Sequence, residues 1–237
     1  NVGTYYFFFV AFGPALGMED TTTTRVIFLA ILTGLQALCN HLGIGLTAKL
    51  TDFSGYLIFA TALALTIVCL ISAPSYEFAR LVTFGNYSGE AGGSVWPQVS
   101  NGWIFMLGLL LPIYTITGYD ASAHTSEETR NAAMSVPRGM VMSVVWSLLF
   151  GWVMLSSFVL MLPNMDEAAS HGWTVFFWAM DTQVNPTLKL ALYVAIFISQ
   201  FLCGLATVTS VSRMIFAFSR DGGLPFSQAL ATVSPTY

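Results

Sequence analysis

The sequence predicts an all-α integral membrane protein, and three observations carry that prediction. Hydrophobic residues make up 55% of the 237 positions and charged residues 8%, with a mean hydropathy of +0.71. A soluble domain of this size could not hide so much apolar surface from water. The apolar residues also collect in runs that approach or exceed the ~20 residues a spanning helix needs. Finally, no run alternates strictly over the ~9 to 11 residues of a transmembrane barrel strand. Helices, which satisfy their own backbone polar groups inside hydrocarbon, are the structure that remains.

The elements follow in order. Apolar runs cover Tyr5 to Met18, Val26 to Leu50, Tyr56 to Ile71, Gly102 to Thr117, Met140 to Leu162 and Leu188 to Phe218. The first looks cut; the other five are read as spans. Two longer polar connections, Ser72 to Asn101 and Pro163 to Thr187, leave room for short interfacial helices near Ser75 to Thr83 and Trp173 to Met180. Asn86-Tyr87-Ser88 in the first connection is a glycosylation sequon, read as a chance occurrence. The chain opens on Asn1 with neither a Met nor a charged leader, so it reads as an internal piece.

Charge excludes some partners and orients the rest. Eight Lys and Arg against twelve Asp and Glu give a net charge of −4, which leaves no basic patch for nucleic acid. The positive-inside rule places Lys49, Arg130, Arg138, Arg213 and Arg220 on the cytoplasmic side and Arg25, Arg80 and Lys189 outside. The three cysteines, Cys39, Cys69 and Cys203, sit singly in apolar runs and predict neither a disulfide nor a metal site.

Gly118 to Gly139, GYDASAHTSEETRNAAMSVPRG, is the most informative segment. It ends a membrane-length run with a glycine and a carboxylate, and so places Gly118 and Asp120 at or below mid-membrane. An intramembrane Asp costs ~2.5 to 3.5 kcal/mol even on insertion scales and is a functional hypothesis by default. Gly118 lowers helix propensity by ~1 kcal/mol, and Pro112 removes a backbone hydrogen bond upstream. The helix has reason to open near Tyr119. An open helix at membrane depth lines a cavity or lies buried in protein; the alternative is a kink and a helix end emerging into headgroups. Asp120, His124, Glu127 and Glu128 share one face of the continuing helix, as a proton path or as a solvated exit. Pro137 suits the first turn of the following helix.

These residues carry a resemblance. Gly118-Tyr119-Asp120, Glu127-Glu128-Thr129, Asn131-Ala132-Ala133 and Pro137-Arg138 resemble the sixth-helix signature of amino acid-polyamine-organocation permeases, in the amino acid/choline branch that includes GABA and choline permeases. GLATVTSVSRMIFAFSRDGGLP, Gly204 to Pro225, is similar to the end of that family's eighth helix and the loop after it. Asn40 to Gly43 with Lys49 is similar to the turn between its helices four and five.

The resemblance implies a twelve-helix, inverted-repeat (LeuT-like) secondary transporter in the cell membrane. This chain would hold the end of helix three through helix eight, at about 4–18, 25–48, 53–72, 101–132 with the break near 118, 138–162 and 188–218. It implies a small amino acid or amine substrate (GABA, choline, polyamine), a lipid bilayer as surroundings, alternating access, and a proton or sodium as coupling ion. Tyr114, Thr117, Gly118, Tyr119 and Asp120 would bind substrate, with Tyr119 as lid. His124 and Glu127 would serve coupling or gating, as would Thr207 and Ser210; the alternatives are a hydrogen-bonded packing role for His124 and small-residue helix packing for Thr207 and Ser210. The family's Gly-rich break in helix one is absent here, so half of the implied site is missing and the piece alone is not expected to transport. The stretch Tyr56 to Ile71 also lacks the lysine that some proton-coupled relatives place in helix five.

Two readings from other classes stand beside this one. A degenerate, non-transporting sensor would share the fold. An intramembrane aspartyl protease would share Tyr119-Asp120, but it needs a second intramembrane Asp to share a proton, and Asp166, Asp181 and Asp221 lie in polar segments. No catalytic residue is therefore assigned.

Overall fold

A computed structural model describes residues 1–89, 97–124, 126 and 129–232. Those residues form helices, turns and loops, with no strand among them. The long helices are α2 (Thr22–His41), α3 (Ile44–Ile71), α7 (Ala132–Met161) and α10 (Pro186–Arg220), each apolar and long enough to cross a membrane. Shorter ones are α1 (Val2–Leu16), α4 (Asn101–Gly108), α5 (Leu110–Thr115), α6 (Ala121–His124), α8 (Met165–Ser170), α9 (Val175–Gln183) and α11 (Ser227–Leu230). At 1.5 Å per residue the 35 residues of α10 extend ~52 Å, well beyond the ~30 Å hydrocarbon core. The spans are mostly exposed, because their apolar side chains face outward on all sides as lipid requires.

Three helix boundaries show how the sequence sets them. Gly17 adopts φ 63 after α1, and Met18 N–H donates to Gly13 O at 3.0 Å, a left-handed stop of the kind glycine favours. Thr21 caps α2, its hydroxyl accepting from Thr24 N–H at 3.1 Å. Asn164 caps α8 by accepting from Asp166 N–H at 2.9 Å.

Two boundaries differ from the expectation. The segment starting at Asn101 is interrupted at Leu109, about two and a half turns before Gly118, where Leu109 N–H is shared between Phe105 O and Met106 O. Pro112 explains this, because its ring crowds the carbonyl four residues back, that of Gly108, and offers it no N–H. Pro137 lies inside α7 rather than in its first turn. The helix starts at Ala132 because Asn131, at φ 53, turns the chain there and accepts from Ser135 N–H at 3.0 Å.

The described chain divides into two compact units. The first comprises Asn1–Ile58, Gly118–Met142 and Ile196–Tyr237. Its core sets Tyr5, Leu32, Leu202 and Leu205 in the interior, and Phe8 packs on Phe28 and Phe197 at 5.0 and 5.1 Å. Asp20 holds the turn between α1 and α2 by accepting from Arg25 Nε and Nη2 and from Tyr5 OH, each at 2.7 Å.

The second unit comprises Phe59–Thr117 and Ser143–Ala195. Cys69, Met161, Ala179 and Met180 are wholly buried there, and Phe59 meets Phe150 edge-on at 5.1 Å. Arg80, on a 3₁₀ turn (Phe78–Leu81), pairs with Glu77 at 2.8 Å and donates to the carbonyls of Leu162 and Pro163, just past the end of α7. Asn86 is engaged in its own turn, accepting from Ser88 N–H at 3.0 Å and donating to Val99 O at 2.9 Å.

Candidate functional site

The residues singled out above fall in both units, and each is placed within its own. In the second unit, α5 ends at Thr115 and the chain uncoils. Thr117 turns back on the helix end, its hydroxyl and its N–H both donating to Tyr114 O, at 2.6 and 3.3 Å. Tyr114 itself is 79% exposed, so its ring is available while its carbonyl is spent as a helix stop. Thr115 approaches α7 closely: a Cβ on Gly151 would lie 2.9 Å from Thr115 Cγ2.

In the first unit the chain resumes with Gly118 at φ 87, a left-handed conformation that costs an L-residue ~1 to 2 kcal/mol. Gly118 O then accepts from Ala121 N–H at 3.1 Å and Asp120 O from Ala123 N–H at 2.8 Å, which starts the single turn of α6. Tyr119 is 47% exposed. The Asp120 carboxylate, 55% exposed, lies 3.6 Å from His124 Nε2 one turn on. Glu127, the remaining member of that stripe, and Glu128 lie outside the described residues.

His124 opens onto a groove of about 630 Å³ shared with Ser212, Arg213 and Phe216 of α10. A neighbouring groove of about 520 Å³ is bounded by Asn40, Thr47, Thr209 and again Ser212 and Arg213. Polar groups therefore border both grooves. Thr207 is exposed and its hydroxyl donates to Cys203 O within α10 at 3.0 Å, while Ser210 is half-buried. Of the candidates in this unit, the structure brings Asp120 and His124 together.

The sequence reading passed over a polar ladder in the same unit. Gln36 is fully buried on α2, and its Nε2 donates to Phe201 O of α10 at 3.0 Å and to Asn1 Oδ1 at 3.1 Å. One turn on, Asn40 Oδ1 accepts from Thr209 Oγ1 at 2.6 Å, and Asn40 Nδ2 reaches Leu205 O at 3.5 Å. The available signal was two amides spaced i, i+4 inside an apolar span, a pattern that polar residues between membrane helices adopt.

The fold defines a multi-pass membrane protein built of helices, one of them broken at a glycine followed by a carboxylate. The chain belongs to the amino acid permease family, whose model matches residues 1–237. It is 35% identical over 205 residues to the amino-acid permease BAT1 of Arabidopsis thaliana, covering 81% of this chain and 38% of that protein. It is 29% identical over 214 residues to the GABA-specific permease of Saccharomyces cerevisiae, covering 86% of this chain and 36% of that one. The thiamine transporter thi9 of Schizosaccharomyces pombe is 32% identical over 149 residues, 58% of this chain and 24% of its own length. The chain thus spans well under half the length of these relatives. No solved structure matches it.

Proposed function

We propose that the chain is the central part of a secondary transporter in the cell membrane, not an enzyme, and that it carries amino acids or related amines by alternating access. The observation that carries this reading is the break itself. A left-handed Gly118 separates α5 from α6 in a family of amino acid permeases, and backbone opened at membrane depth is where such proteins bind substrate. The relatives named for GABA, amino acids and thiamine support a nitrogen-bearing small molecule as substrate.

In this reading the exposed ring of Tyr119 closes over the substrate. Asp120 supplies negative charge to the substrate's ammonium group or to the inner gate, with His124 beside it at 3.6 Å. The groove beyond His124 continues the path toward the cytoplasmic face, and Thr207 and Ser210 on α10 serve ion coupling.

The test is uptake of radiolabelled GABA, choline, basic and neutral amino acids and polyamines by the full-length protein in transporter-deficient cells, with Asp120→Asn alongside. Saturable uptake of one of these, lost in Asp120→Asn at unchanged surface expression, is the expected outcome. Uptake indifferent to Asp120→Asn reduces that carboxylate to a helix-end residue, and no uptake of any of them removes the transport reading.

A further inference from the structure

We propose that Gln36 and Asn40 are positioning residues that fix the rotation of α10 about its own axis, and through it the direction in which Thr207 and Ser210 face. The claim rests on the transport reading above for its functional consequence, but its geometry stands alone.

Three contacts grip α10 from α2. Gln36 donates to Phe201 O at 3.0 Å, Asn40 reaches Leu205 O at 3.5 Å, and Thr209 Oγ1 donates to Asn40 Oδ1 at 2.6 Å. Phe201, Leu205 and Thr209 are spaced i, i+4, i+8, so they form one stripe along the helix. The backbone carbonyls on this stripe cannot be supplied from another face, so a turn of α10 breaks the contacts together. Gly204 adds a steric condition, because a Cβ there would collide with the Gln36 amide. Glycine at this point lets α2 come close enough for its side chain to reach the α10 backbone.

At 3.6 residues per turn, Thr207 and Ser210 lie on the side of α10 opposite that stripe. The hydrogen-bonded seam therefore decides where the two hydroxyls point without touching either one. Apolar packing alone is a poor means of setting this angle. The apolar residues of α10 surround it, and in lipid the tails compete with neighbouring helices for apolar contact. The Gln36 amide is fully buried and lipid tails offer it no hydrogen bond, so losing the Phe201 carbonyl is costly there.

The experiment uses the full-length protein with every native cysteine, Cys39, Cys69 and Cys203 among them, replaced by alanine. Thr207→Cys is labelled with N-ethylmaleimide in purified protein, with or without Gln36→Leu, Thr209→Val or Thr209→Ser. In parallel, uptake of the transported panel compound is measured against sodium and proton concentration with Thr207 intact. Losing a contact of this kind shifts populations by about five- to tenfold. The expected result is a change of that size in the labelling rate for Gln36→Leu and Thr209→Val, with Thr209→Ser retaining the native rate because it keeps the hydroxyl. The half-saturating concentration of the driving ion rises by a similar factor in the same two variants, while the maximal rate per folded molecule is kept.

Unchanged labelling in Gln36→Leu and Thr209→Val overturns the proposal. So does a fall in maximal rate with ion half-saturation unchanged, which is the signature of a merely structural seam. A wild type that takes up no panel compound removes the transport reading instead, and the labelling rates alone then decide the rotational claim.

Discussion

Asp20 shows how much one exposed carboxylate does at a membrane turn. It accepts from both Arg25 nitrogens and from Tyr5 OH, and those bonds, the Arg25 ones foremost, hold its carboxyl at about 2 against an ordinary 3.8. Its folded state binds a proton less readily than its unfolded state. The stabilisation is therefore complete above about pH 3.8 and is lost as pH falls through about 2. Asp20→Asn in the full-length protein should flatten the stretch of the acid-unfolding curve between those values, read by tryptophan fluorescence in detergent. An unchanged curve would mean that the clamp is screened away. The turn residues Gly17 and Thr21 were there to be read in the sequence. The Asp20 clamp was not, because its third member, Tyr5, comes from the helix before the turn.

At the scale of the element, the interrupted segment between Asn101 and His124 separates into two causes. Leu109 marks the effect of Pro112 on Gly108 four residues earlier, and Gly118 marks a positive φ. Gly118→Ala should destabilise the full-length protein by ~1 to 2 kcal/mol and depress uptake, while Gly118→Asn, which tolerates the left-handed region, should lose less. Thermal melts and initial uptake rates on both variants check this, and equal losses would show that side-chain volume rather than φ limits the position. Gly118 was visible as a breaker from its place at the end of an apolar run. Pro112 was legible as a lost hydrogen bond too, but the opening was expected near Tyr119, whereas the proline also interrupts the helix at Leu109, beside the Gly108 carbonyl four residues before it. Pro137 misled in a related way: a proline near a helix start invites the first-turn assignment, but Asn131 turns the chain earlier and leaves Pro137 inside α7.

For the molecule as a whole, the all-helical membrane class was legible from composition because it depends on totals and not on any contact. The seam between α2 and α10 was beyond reach, since its contacts join residues 165 and 169 positions apart. Exposed apolar side chains such as Tyr56, Ile71 and Trp152 on the long helices predict that the full-length protein stays in the membrane pellet after alkaline carbonate extraction. Release into the supernatant, measured by immunoblot, would contradict the spanning assignment.

Arg80 carries a consequence for the connection between α3 and α4. The last carbonyls of a helix have no partner of their own, and at the C-terminal end of α7 a guanidinium from a distant part of the chain meets those just beyond it. A positive charge there also suits the negative pole of the helix. The 3₁₀ turn Phe78–Leu81 is therefore tethered to α7, and any excursion of that end of α7 would drag the turn along with it or leave the Arg80 cation without those carbonyls.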